Sequence, residues 1–235
     1  ENLFKSLLNL FYGIQLLSSN NIVHRDIKPM NIVFDGTNTR IIDFGLSLNY
    51  NSDTTSFNDT ITKYEYRYWP IEYNLVHDII NNKLFKKSDK KPVKVSKIMK
   101  KISKLQKKGE YNVNTLRNVR ADIIDITNLI IKNKINMKIS DAEFYNDLYS
   151  KFDTYSLGII LDYIFFRSKY KGYASDSFKS SLKPIIEKMT LSSYIKRIDI
   201  KTAAIEYKTQ LINNNLVSKE ELESLERRFN IYFGE

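Results

Sequence analysis

Between His24 and Gly45, four groups able to handle phosphate or a hard cation, Asp26, Lys28, Asn31 and Asp43, flank a pair of β-prone runs. Ile32-Val-Phe34 and Arg40-Ile-Ile42 predict two short strands, and Asp35-Gly-Thr-Asn-Thr39 between them predicts a hairpin turn. Such a hairpin folds the chain back and brings Asn31 and Asp43 toward one cation cluster. Asp26 is a carboxylate able to accept a hydroxyl proton. Lys28 can neutralise a transferring phosphoryl group, and Asn31 and Asp43 offer the oxygen ligands that Mg²⁺ prefers. Phosphoryl transfer asks little more of a protein than positioned charge and metal.

The flanking segments predict a mainly helical surround. Leu3, Phe4, Leu7, Leu8, Leu10, Phe11, Ile14 and Leu17 recur at helical spacing over residues 2–18, and Ser19-Asn-Asn21 ends that run. Ile22-Val23 is β-like, and the polar stretch 46–65 predicts a loop. Residues 116–132 predict a helix, Ser140–Glu143 reads as a capping box, and 154–166 is apolar nearly all round, as in a buried helix. Ser218–Glu221 is a second capping box, opening a charged helix to about Arg228. No apolar run reaches transmembrane length; the longest, Leu157–Phe166, is too short.

Composition excludes several classes. With 42% hydrophobic residues a sizeable core is available, and with no cysteine there are neither disulfides nor thiolate metal sites, which fits an intracellular, cytoplasmic protein. The Asn, Ile, Lys, Tyr and Phe bias fits AT-rich coding, viral or protist. The net charge of +10 is concentrated: Lys83–Lys108 holds twelve lysines and one acid, Asp89, and the rest sums to about −1. That run would suit a polyanion, but with Phe85 as its one aromatic it reads first as a solvated segment.

The string His24-Arg-Asp-Ile-Lys-Pro-Met-Asn31, followed after one hairpin by Asp43-Phe-Gly45, resembles the catalytic loop and D-F-G element of the protein kinase superfamily. Lys28, two residues after the aspartate, resembles the serine/threonine class. The likeness continues in order. Pro70-Ile-Glu72 looks like the A-P-E element, Asp153-Thr-Tyr-Ser-Leu-Gly158 like the start of the central helix, and Arg197 like the late arginine that pairs with the A-P-E glutamate. The resemblance implies a transferase using ATP and Mg²⁺ on protein Ser or Thr. It implies Asp26 as base, Lys28 on the γ-phosphate, Asn31 and Asp43 on the metal, and Val33 beneath the adenine. His24, Arg25, Phe44, Gly45, Glu72, Asp153 and Arg197 take structural or regulatory roles. Arg25 would receive a phosphate from the activation segment, with Thr60 and Thr62 as first candidates.

These features together predict a mainly α protein-kinase-like C-terminal lobe over 1–235, with a short β-hairpin at the catalytic loop and a large lysine-rich insertion over about 73–150. No two of the seven glycines are one residue apart, so there is no G-x-G phosphate loop here. An N-terminal lobe of the same protein is therefore expected as a partner. The alternative is a stand-alone, pseudokinase-like lobe that binds or scaffolds.

Overall fold

A computed structural model of the chain describes residues 2–51, 67–70, 72–73, 100, 124–125 and 141–233. Thr60, Thr62, the lysine run apart from Lys100, and most of 73–150 lie outside the described residues.

The described residues are mainly helical. Two helical segments, α1 (Asn2–Ser6) and α2 (Leu8–Ser19), open the chain. The break at Leu7 interrupts the single run that the apolar spacing predicts, and its origin is tertiary. The Thr39 hydroxyl donates to the Ser6 carbonyl, and the Leu10 N–H turns instead to Leu7 O at 3.0 Å. One i→i−3 bond thereby tightens the helix locally. Asn20 and Asn21 close α2: the Asn20 amide donates to Leu16 O at 2.9 Å, and Asn21 takes φ 58°, the left-handed end common after helices.

Strand β1 (Ile22–Val23) pairs antiparallel with β4 (Leu48–Asn49), and β2 (Ile32–Phe34) with β3 (Thr39–Ile41). The second pair is the predicted hairpin, with Val33 opposite Arg40. Its turn is held by the Asp35 carboxylate, which accepts the Thr37 and Asn38 N–H groups at 3.0 and 2.7 Å, while Gly36 takes φ 94°. Strand β4 corrects the reading of 46–65 as loop throughout. Leu48 is buried opposite the buried Val23, and that contact orders a two-residue strand inside a polar stretch.

Further helices among the described residues are α3 (Asp141–Ser150), α4 (Phe152–Asp162), α5 (Asp176–Met189), α6 (Ile200–Asn213) and α7 (Lys219–Phe233). Helix α4 passes into a π turn, Tyr163–Arg167, in which the Ser168 N–H reaches back to Tyr163 O at 2.7 Å. The sequence reading assigned nothing to α5 and α6 beyond Arg197 just before α6. Helix α5 carries Pro184 in its interior yet runs through it, starting from a Ser175 cap on the Phe178 N–H at 3.1 Å. Helix α6 starts from Asp199, which caps the Thr202 N–H at 2.8 Å. In α7 the capping box closes reciprocally: Ser218 N–H to Glu221, and Glu221 N–H to Ser218, at 2.9 and 3.1 Å. The helix runs on to Phe233, past the predicted end at Arg228.

Helix α2 lies between α6 on one side and the hairpin and α4 on the other, and α5 packs against both α4 and α6. The core is formed by Phe4, Leu8, Phe11, Leu157, Phe165, Phe178, Met189 and Tyr207 among others. Helices α4 and α5 approach closely at Gly158, where a Cβ would stand 2.7 Å from Thr190 and 2.9 Å from Met189. No helix among the described residues is long and apolar enough to cross a membrane.

Candidate active site

The loop from His24 to Asn31 leaves β1 and enters a single 3₁₀ turn, Pro29–Asn31, before β2. Arg25 sits at φ 68°, a left-handed conformation unfavourable for a side chain of this size, so the loop needs outside support. Groups from elsewhere hold it there. Asp153, in the first turn of α4, accepts the His24 N–H at 2.6 Å and the Arg25 N–H at 3.0 Å. His24 Nδ1 accepts the Asp26 N–H at 3.2 Å. That bond requires a neutral ring with its proton on Nε2. Burial lowers the His24 pKa, against the opposing pull of the Ile42 backbone and the Asp26 and Asp43 charges. The His24 ring also packs on Phe44, centroids 4.7 Å apart.

Asp26 is the centre of the cluster. Its Oδ2 accepts from Lys28 Nζ at 2.7 Å and from Asn31 Nδ2 at 2.9 Å. Asn31 Nδ2 also donates to the Asp26 carbonyl at 2.9 Å. With its amide nitrogen turned to Asp26, Asn31 has Oδ1 as the atom suited to a cation. The Ile42 N–H donates to Asn31 O at 2.9 Å, which sets Asp43 next to the residue opposite Asn31. Asp43 is exposed, at φ 65°, and its Oδ1 accepts the Gly45 N–H at 3.2 Å. Among the described residues no three His, Cys, Asp or Glu side chains converge on one point. The donor set of Asn31 and Asp43 is thus incomplete by itself, and it fits Mg²⁺, which takes few protein oxygens and completes its shell with phosphate and water. Val33 stands on β2 and is exposed.

Asp153 carries an electrostatic load. Burial pushes its pKa up to about 6, against the two N–H groups and Arg25, which favour the carboxylate. A carboxyl whose pKa rises on folding adds stability at low pH and loses it as pH climbs through the folded value. Relative to Asp153→Asn, the wild-type chain is expected to lose about 1 kcal/mol between pH 5 and pH 7.5. Urea unfolding of both proteins at several pH values checks this; parallel profiles would contradict it.

Glu72 and Arg197 form an ion pair with both side chains fully buried. The guanidinium also donates to Leu191 O at 3.0 Å and 2.7 Å and to Lys151 O at 3.1 Å, and it lies 4.9 Å from the Tyr155 ring centre. Ser156 donates to Tyr68 O at 2.7 Å, so α4 holds Tyr68 as well as the loop.

Arg25 is not displayed at the surface. It is 3% exposed, lies 5.9 Å from the Trp69 ring centre and 6.0 Å from that of Tyr73, and reaches the Tyr73 hydroxyl at 3.4 Å. The sequence reading missed Trp69, which donates its indole N–H to Arg25 O at 2.6 Å. The one available signal was that it is the single tryptophan of the chain.

Residues 1–73 match the protein kinase domain family. The "Probable serine/threonine-protein kinase ireA" of Dictyostelium discoideum is 43% identical over 68 residues, 28% of this chain and 7% of the relative. The "Mitogen-activated protein kinase kinase kinase 8" of Rattus norvegicus is 46% identical over 41 residues, 17% of this chain and 9% of the relative. The "CTD kinase subunit alpha" of Saccharomyces cerevisiae is 43% identical over 63 residues, 26% of this chain and 11% of the relative. The chain thus spans about a tenth or less of the length of these relatives. No solved structure matches it. The matched stretch, residues 1–73, holds Asp26, Lys28, Asn31, Asp43 and Glu72, and it is there that the chain is similar to the protein kinase superfamily.

Proposed function

We propose that the chain is the catalytic-loop lobe of a serine/threonine protein kinase, which passes the γ-phosphate of ATP to a protein Ser or Thr hydroxyl with Mg²⁺. The observation that carries this is the Asp26 carboxylate, joined to Lys28 at 2.7 Å and Asn31 at 2.9 Å on a loop pinned by Asp153. Asp26 accepts the hydroxyl proton as the oxygen attacks phosphorus. Lys28 beside it offsets charge on the transferring group. Asn31 and Asp43 would hold Mg²⁺, which supplies further neutralisation of phosphate charge.

In this proposal residues 1–235 form one lobe, interrupted by an insertion at about 73–150, and a second, N-terminal lobe completes the nucleotide site. The exposure of Val33, Phe34, Ile42 and Phe44, at 41–51%, on and beside the hairpin supports that. The test is phosphate transfer from γ-labelled ATP by the full-length protein, with and without Mg²⁺, followed by phosphoamino-acid analysis. Mg²⁺-dependent phosphoserine or phosphothreonine is expected. Phosphotyrosine alone would overturn the assignment from Lys28, and no transfer would leave the binding-lobe alternative.

A further inference from the structure

We propose that Trp69 is a positioning residue for the base Asp26, acting through the carbonyl of Arg25; the inference rests on the kinase reading above. Side-chain partners hold the polar backbone groups around the base. His24 N–H and Arg25 N–H go to Asp153, Asp26 N–H goes to His24 Nδ1, and Asp26 O accepts from Asn31. The Arg25 carbonyl belongs to the peptide that leads directly into Asp26, and it accepts the Trp69 indole N–H at 2.6 Å. These partners come from three places: the loop itself, α4, and Trp69.

The third source differs in kind. Asp153 and Asn31 belong to α4 and to the loop's own 3₁₀ turn, which ends on the hairpin. Trp69 belongs to a short stretch that returns to the core from a part of the chain 44 residues further on. Its ring is 2% exposed and meets Tyr73 edge-on at 5.2 Å and Phe152 at 6.0 Å, with the Arg25 guanidinium 5.9 Å from its centre. The indole is thus fixed by packing before it donates, which is what a positioning group requires. Arg25 at φ 68° sits in an unfavourable well. A buried carbonyl that lost its donor would favour rotation of the Arg25–Asp26 peptide, about Arg25 ψ and Asp26 φ, toward another partner, and the Asp26 side chain would turn with it. Docking of Trp69 and orientation of the base are then one event.

The test uses the full-length protein with Trp69→Phe, and separately with 3-benzothienylalanine placed at position 69. The analogue keeps the bicyclic shape and lacks the N–H. Both are expected to lower kcat about tenfold with KM for ATP within twofold. Amide exchange in a peptide covering 24–31 should speed up about tenfold, while a peptide covering 176–213 stays protected. If Trp69→Phe loosens the whole fold, the shape-matched analogue decides. Wild-type kcat and wild-type protection at 24–31 with the analogue would overturn the proposal. If the wild-type protein transfers no phosphate, the kinase reading fails, and exchange at 24–31 alone decides whether Trp69 holds the loop.

Discussion

Asp26→Asn in the full-length protein is expected to lower the phosphoryl-transfer rate about 10²–10⁴-fold, the usual worth of a positioned general base, and to leave the fold almost untouched. The amide occupies the same space and keeps an oxygen for the Asn31 Nδ2 donor, which lies 2.9 Å from the carboxylate. It cannot take a proton from an incoming hydroxyl. It also loses the charge opposite Lys28, whose side chain is 26% exposed. The Asp26 side chain is only 9% exposed, but the Lys28 ammonium can turn to water once its partner is neutral, so the loss of stability should stay at about 1–2 kcal/mol. The separation of the two readouts is the point of the experiment. A rate within tenfold of wild type would remove Asp26 as the base. A large loss of stability would mean that the carboxylate serves the fold first.

Arg197→Met is expected to have the opposite signature: a loss of about 3–5 kcal/mol of stability, because it strands the buried Glu72 carboxylate without its cation. Both side chains of this pair have no exposure, so water cannot take over the role of the guanidinium. The carbonyls of Leu191 and Lys151 lose donors as well. Glu72→Gln should be milder, since an amide oxygen still accepts from Arg197, and the guanidinium left without its counter-charge keeps the Leu191 and Lys151 carbonyls. The double variant Glu72→Leu, Arg197→Met should recover much of the single-variant loss, because replacing a buried pair by apolar groups removes both desolvation penalties. Urea unfolding of the four proteins checks the set. A double variant less stable than Arg197→Met would show that the carbonyl contacts matter more than the charges.

What the sequence revealed and what it hid divide along the range of the interactions. Asp26, Lys28, Asn31 and Asp43 were legible because their spacing is local and the Asp35-Gly36 turn between them has its own chemistry. The capping box at Ser218 was legible for the same reason: both its bonds close within one turn. Strand β4 was hidden because two residues in a polar stretch carry no period, and it is the buried partner Val23 that orders them. Helix α5 received no assignment from the sequence; its interior Pro184 is tolerated where packing of Phe178, Leu182, Ile185 and Met189 against the core outweighs one absent N–H. The break at Leu7 depends on a hydroxyl from Thr39 and has no signature in residues 2–18. Trp69 was missed because its bond to Arg25 spans 44 residues and follows no pattern.

The reach of Asp153 also orders events in time. It holds N–H groups that precede it in the chain by 129 and 128 residues. A ribosome adding 5–20 residues per second needs roughly 6–26 s to cover that interval. Throughout it, the nascent chain carries His24 and Arg25 with no carboxylate to receive their N–H groups, and the left-handed turn at Arg25 lacks that support. The loop therefore acquires its working shape only when α4 has been made and has docked, well after its own residues have left the ribosome.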